Sequence, residues 1–236
     1  MRMLTRIALG LALASQFLGS AQALEGSPVA TTPDPECARP GDVIERVQRR
    51  YDALADLRAD FEQATESAVL GSGSLAAGEL TRGTVLLAKP GKMRWSYRGS
   101  EPSFVISDGE TLWIYDVNSA QASKLSVDEG YLAGAALQFL LGDGRISESF
   151  RVSMIACGAS SAEFELLPRA AANYESLRLT AGLDSGLITA TTLLDLFGNR
   201  TTIRFSGIRV DESPDPKSFV FVPPADVEII PLGSRP

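Results

Sequence analysis

The apolar positions of this chain follow two rhythms. Over residues 41–59 a face recurs in steps of three and four through Val43, Val47, Tyr51, Leu54 and Arg58, with Ile44 and Leu57 widening the apolar stripe. Glu45, Arg46, Gln48, Arg49 and Asp52 fall on the other side. This spacing predicts an amphipathic helix whose natural place is against a sheet. Asp42 followed by Glu45 makes a capping-box pattern at its start.

From residue 59 onward the period is two. Ala59-Asp60-Phe61-Glu62-Gln63 opens a first strand, and residues 70–80 read as a Gly/Ser/Ala-rich hairpin loop. The densest pattern runs over residues 82–116. An apolar stretch containing Val85 and Leu87 is broken by Lys89-Pro90-Gly91. Met93, Trp95 and Tyr97 then alternate with Arg94, Ser96 and Arg98. Phe104-Val105-Ile106 follows, Ser107-Asp108-Gly109 is hairpin chemistry, and 111–116 alternates again through Trp113 and Tyr115. Further strands are predicted over 149–155, 162–167, 176–181, 187–196, 200–208 and 219–222, with hairpin turns at 182–186 and 197–200.

Residues 130–142, GYLAGAALQFLLG, are apolar almost all round, including Leu132, Leu137, Phe139 and Leu140. A helix of that kind is buried on all sides or binds something. Two readings stand: a buried crossing helix, or a lid over an apolar cavity that leaves when a ligand enters. Gly130, Gly134 and Gly142-Asp143-Gly144 offer hinge points. The aromatic strand residues carry the same two readings, ordinary core or cavity lining. The sum is a mainly β chain of about eleven strands and two helices in one antiparallel meander, without βαβ alternation or internal repeat. A twisted sheet that large curls or closes, which leaves an interior.

Composition narrows the chemistry. The 236 residues contain no histidine, which removes Ser-His-Asp and Cys-His catalysis and His-ligated metals. Asp108 with Glu110, and Asp143, are the candidate acids, and Asp108-Gly109-Glu110 is better explained as a turn. No enzyme, metal site or cofactor is expected, and no Gly-x-x-x-x-Gly-Lys-Ser/Thr motif is present to bind ATP. Residues 1–23 read as a secretory signal: Arg2 and Arg6, an apolar stretch over 7–18, then Ala21-Gln22-Ala23. Removing Arg2 and Arg6 leaves 20 basic against 29 acidic residues, a charge of −9. That acidity disfavours nucleic acid and anionic membrane surfaces as partners. Cys37 and Cys157 are an even pair in an exported chain; one disulfide or two partly buried thiols both fit. Residues 24–40 read as a flexible leader, 41–228 as the folded domain and 229–236 as a tail.

Several motifs together resemble the periplasmic outer-membrane lipoprotein carriers (LolA type). They are Phe61-x-Gln63, Lys89-Pro90, Arg94-Trp95, Ser107-Asp108-Gly109, Leu112-Trp113-x-Tyr115 and Phe221-x-Pro223-Pro224-x-x-Val227. The resemblance covers residues 41–228. It implies an incomplete antiparallel barrel, covered by the N-terminal helix and a short lid helix at 130–142. It implies a monomeric carrier without stable membrane insertion. Acylated lipoproteins are the implied cargo, an inner-membrane release complex the donor and an outer-membrane lipoprotein the acceptor. On this reading Phe61, Val85, Leu87, Met93, Trp95, Tyr97, Phe104, Trp113, Leu132, Leu137, Phe139 and Leu140 line the acyl-chain cavity. Lys89, standing where Arg is usual, and Arg94 anchor the lid; Asp226 stands where Gly is usual. Lys89 alone reads equally as a solvated strand-end charge. The alternative function is a lipid- or peptide-sensing envelope regulatory domain of the same half-barrel.

Overall fold

The computed structural model describes residues 37, 39–68, 75–127 and 144–231. The expected signal, almost all of the leader and the apolar helix at 130–142 lie outside the described residues. So do the tip of the first hairpin and the last five residues.

The described residues form one open sheet of twelve strands. A first meander contains β1 (Asp56–Ala68), β2 (Leu75–Ala88), β3 (Lys92–Arg98), β4 (Ser103–Asp108), β5 (Thr111–Asp116) and β6 (Gln121–Ser126). A second contains β7 (Phe150–Cys157), β8 (Ser161–Pro168), β9 (Tyr174–Gly182), β10 (Ile188–Asp195) and β11 (Arg200–Val210). A short β12 (Glu228–Pro231) pairs parallel to β6. The order β12-β6-β5-β4-β3-β2-β1-β11-β10-β9-β8-β7 makes β1 the strand that joins the two halves. The expected single meander is therefore two, zipped along β1 and β11. The sheet stays open at β12 and β7, an incomplete barrel as anticipated.

Helix α1 (Pro40–Ala53) is shorter than its periodicity suggested. Leu54 is already extended, and the residues from Asp56 on pair with β2, because ladder hydrogen bonds override the continuing apolar steps. Pro40 occupies the first turn, and Asp42 sits inside that turn, paired with Arg39 at 3.2 Å, instead of capping it. Val43, Val47 and Tyr51 are buried against the sheet. The helix is fixed along its length. Cys37, just before it, is disulfide-bonded to Cys157 at the end of β7. The Arg46 guanidinium donates to the Leu183 carbonyl, and the Tyr51 hydroxyl accepts from the Ile188 amide at 3.1 Å. Gln48 accepts the Ile146 amide at 2.9 Å, at the start of α2 (Ile146–Ser149).

Three other elements differ from expectation. β2 begins inside the expected loop at 70–80. β6 escaped notice because its buried residues, Ala122 and Leu125, sit on opposite faces and break the alternation. The strand expected at 219–222 is a 3-10 turn, Pro216–Phe219, followed by irregular chain. Pro216, Pro223 and Pro224 lack ladder donors, and Asp215 caps the turn by accepting the Lys217 amide at 2.9 Å. The last strand lies instead in the expected tail, at β12.

The disulfide closes a loop with a sequence separation of 120 residues. Replacing both Cys37 and Cys157 by Ser is expected to lower the unfolding free energy by about 2–4 kcal/mol, read from urea midpoints. Reduction of the native protein should give the same shift.

Candidate functional site

Register divides the side chains of the first meander between two faces. Trp95 lies opposite Val85 on β2 and Val105 on β4, and Val105 lies opposite Ile114 on β5. Met93 is level with Leu87 and Ser107, and Tyr97 with Gly83 and Ser103. This is the inner face, shared with α1. It continues through Leu57, Ala59 and Phe61 of β1 to Phe205 and Val210 of β11. Phe164, Leu166, Leu177 and Leu179 extend the same buried core across β8 and β9.

Of the residues expected to line a cavity, the structure brings together Phe61, Val85, Leu87, Met93, Trp95 and Tyr97. Phe61 sits edge-on to Trp95 at 4.9 Å and to Tyr97 at 5.1 Å, and Phe205 approaches Trp95 at 6.2 Å. Edge-to-face rings of this kind add to the free energy of burial itself. Gly83 makes the arrangement feasible. A Cβ there would come within 2.2 Å of the Ser96 carbonyl oxygen and 2.6 Å of the Phe61 ring. Gly83 went unnoticed in the sequence, where a lone Gly in a strand signals only that something approaches closely.

Phe104 and Trp113 fall on the opposite, outer face. Trp113 pairs with Ile106 and Phe104 with Tyr115, one parity step away from Trp95. Phe221 closes on them, 5.4 Å from Trp113 and 5.2 Å from Tyr115. Arg94 shares this face. Its guanidinium covers the Phe104 ring at 5.0 Å and donates to the Ser218 carbonyl at 3.2 Å, tying down the C-terminal 3-10 turn. Lys89 instead donates to the carbonyls of Tyr51 and Asp52, the latter at 3.2 Å. It thus satisfies open carbonyls at the C-terminus of α1, where a cation is also favoured by the helix dipole. Leu132, Leu137, Phe139 and Leu140 lie outside the described residues.

Among the described residues, Tyr51, Leu57, Val85, Leu87, Trp95, Ile188, Phe205 and Ile208 enclose a cavity of about 10 Å³, the scale of one water molecule. A larger open cleft of about 490 Å³ lies beyond the ends of β3 and β4, between Gln63, Leu80–Arg82, Tyr97–Glu101 and Ser103. There the Tyr97 hydroxyl donates to the side chain of the motif residue Gln63 at 3.3 Å, at the polar rim of the apolar face. Asp108 is a turn residue. Despite partial burial, the Thr111 and Glu110 amides it accepts at 2.8 and 2.9 Å hold its carboxyl below the ordinary range. Among the described residues no cluster suits a metal ion, and no helix is long and apolar enough to cross a membrane.

The family model "Outer membrane lipoprotein carrier protein LolA" matches residues 52–222. The chain belongs to this LolA family. An outer-membrane lipoprotein carrier protein of Pseudomonas paraeruginosa is 31% identical over 189 residues, covering 79% of this chain and 86% of the relative. Its counterpart in Neisseria meningitidis serogroup C is 28% identical over 182 residues, covering 76% and 86%. In fold, an uncharacterized conserved protein from Thermus thermophilus superposes with a TM-score of 0.50 at 8% identity, over 80% of this chain and 97% of the other.

Two outcomes follow from this packing. Gly83→Ala should destabilise the fold by about 1–3 kcal/mol, since the Ser96 carbonyl is backbone and cannot swing aside; thermal or urea unfolding measures it. Burial raises the Tyr51 hydroxyl to about 12. A folded-state value above the unfolded one means that its contribution is complete below pH 10 and fades as pH rises toward 12. The loss is on the order of 3 kcal/mol. Urea midpoints between pH 9 and 12 should fall accordingly, and less steeply in Tyr51→Phe.

Proposed function

We propose that this chain is a periplasmic carrier that shields the acyl chains of lipoproteins against its inner face and delivers them to an acceptor at the outer membrane. The observation that carries the reading is the continuous apolar inner face of an open sheet, centred on Phe61, Trp95 and Tyr97, in a chain of the LolA family. Each methylene moved from water into such a site contributes about 0.8 kcal/mol, so hydrocarbon length alone supplies the binding. No catalytic step is needed. Release is driven by transfer to a partner with a better site, since the sequence holds no ATP-binding motif.

The cavity of about 10 Å³ beside Tyr51 and Trp95 is too small for an acyl chain, so in this reading loading opens the inner face. In this reading α1 is not the part that moves. It is held by the disulfide before its N-terminus and by Lys89 at its C-terminus. The apolar segment 130–142 is the cover that yields, and Leu132, Leu137, Phe139 and Leu140 supply its share of the lining. The wall of the site is then Phe61, Val85, Leu87, Met93, Trp95 and Tyr97. Phe104 and Trp113 buttress it from outside. The inner-membrane donor and outer-membrane acceptor belong to the same proposal, as does export guided by residues 1–23.

The test is native mass spectrometry of the protein purified from the periplasm of an exporting host. The expected result is a mass excess matching an acylated protein or peptide. Tyr97→Ser, on the inner face, should lower the loaded fraction several-fold, while Trp113→Leu, on the outer face, should leave it unchanged. A clean unloaded mass with no uptake of synthetic triacyl lipopeptide overturns the proposal.

A further inference from the structure

The β10–β11 hairpin ends in Asp195-Leu196-Phe197-Gly198-Asn199. Leu196 is 63% exposed and Phe197 83% exposed, the latter the highest value among the large apolar residues described as exposed. The turn that presents them is not loose. The Asp195 carboxylate accepts the amides of Phe197 and Asn199, each at 2.8 Å, and the Asn199 side-chain amide at 2.8 Å. The Gly198 amide donates to the Asp195 carbonyl at 3.1 Å. Asn199 in turn accepts the Ala68 amide at 3.0 Å, fastening the turn to β1. Gly198 adopts a φ of +84°, which suits glycine at this point of the hairpin.

We infer that this turn is a wedge for the interfacial region of a phospholipid bilayer, which the protein touches reversibly without spanning it. Three observations select lipid over protein. The two side chains bury on the order of 300 Å² when covered, well short of the roughly 800 Å² per partner of a specific protein interface. The turn satisfies the amides of Phe197, Gly198 and Asn199 internally, as entry into an apolar medium demands. Residues 196–199 carry no ionisable side chain; the Asp195 carboxylate stands at the base of the turn, held by its amides, and Arg200 behind is paired with Glu66 at 3.4 Å. Phe205 is level, through Phe61 and Gly83, with Tyr97 near the end of β3. From there β11 reaches back five residues to Arg200, about 17 Å, level with Glu66, so the turn lies at the Ala68 end of β1, beyond the end of β3. The inference is independent of what the inner face binds.

The experiment is co-sedimentation of the mature protein with phosphatidylcholine vesicles. The native protein is expected to bind, and raising salt should leave binding unchanged, because no charge pair is involved. Leu196→Ser combined with Phe197→Ser should reduce the bound fraction tenfold or more while leaving the unfolding midpoint and the cargo load seen by native mass spectrometry in place. Val222→Ser removes another highly exposed apolar side chain, 78% exposed, and should change nothing. Absence of vesicle binding by the native protein overturns the inference, as does equal binding by the double variant. Self-association in sedimentation velocity that the double variant abolishes also overturns it, in favour of a second copy as the occupant.

Discussion

The position of β1 between β2 and β11 is the constraint on which the rest depends. Both neighbours read the same alternation: Leu57, Ala59 and Phe61 face inward, while Arg58, Asp60 and Glu62 face solvent. A slip of one residue on either side would turn every inner side chain outward. The bulges between Arg58 and Asp60, facing β11, and between Ala64 and Glu66, facing β2, absorb local mismatch while the parity at Phe61 is kept. Phe61 is where both registers become side-chain packing. Its ring fills the space left by Gly83 and meets Trp95 and Tyr97 edge-on.

With the sheet fixed in this way, α1 divides the inner face unequally. Its hydrogen bonds run to Leu183 and Ile188 of the second meander, and the disulfide before it to Cys157, while Lys89 after β2 binds its C-terminus and Tyr51 packs beside Val85, Leu87 and Trp95 of the first. The helix is therefore a strut of the β7–β11 half. The β3–β6 half presents Met93, Trp95, Tyr97, Val105 and Ile114 without any described hydrogen bond to α1.

Much of this was legible in the sequence. The alternation at Met93, Trp95 and Tyr97 gave β3 its face, and Asp108-Gly109 placed the turn after β4. The pair Cys37 and Cys157 is bonded as the even count in an exported chain suggested. The face of Trp113 and Phe104 was not legible. Each strand alternates correctly by itself, but which parity meets which depends on the turn lengths between them, and that information appears only when Ile106 is seen opposite both Arg94 and Trp113. The role of Lys89 was hidden for a related reason: its partners are backbone carbonyls nearly forty residues away, which leave no side-chain signature. The 3-10 turn at Pro216–Phe219 replaced an expected strand because prolines remove ladder donors without disturbing the apolar pattern.

The outer face gives a physical meaning to two motifs that the sequence held far apart. Leu112-Trp113-x-Tyr115 and Phe221-x-Pro223-Pro224 meet in space, since Phe221 packs on Trp113 and Tyr115. Arg94 holds the segment that delivers Phe221, through the Ser218 carbonyl. β12 then continues along the β6 edge and covers ladder groups that would otherwise be open. The C-terminal segment thus braces the first meander from behind. The sheet has stability that does not come from its inner covering. The aromatic contacts outside, the ladder hydrogen bonds within and the disulfide at the far edge supply it. The two aromatic sets are accordingly not interchangeable: loss of Trp113 weakens the brace, whereas loss of Trp95 alters the surface that the brace supports.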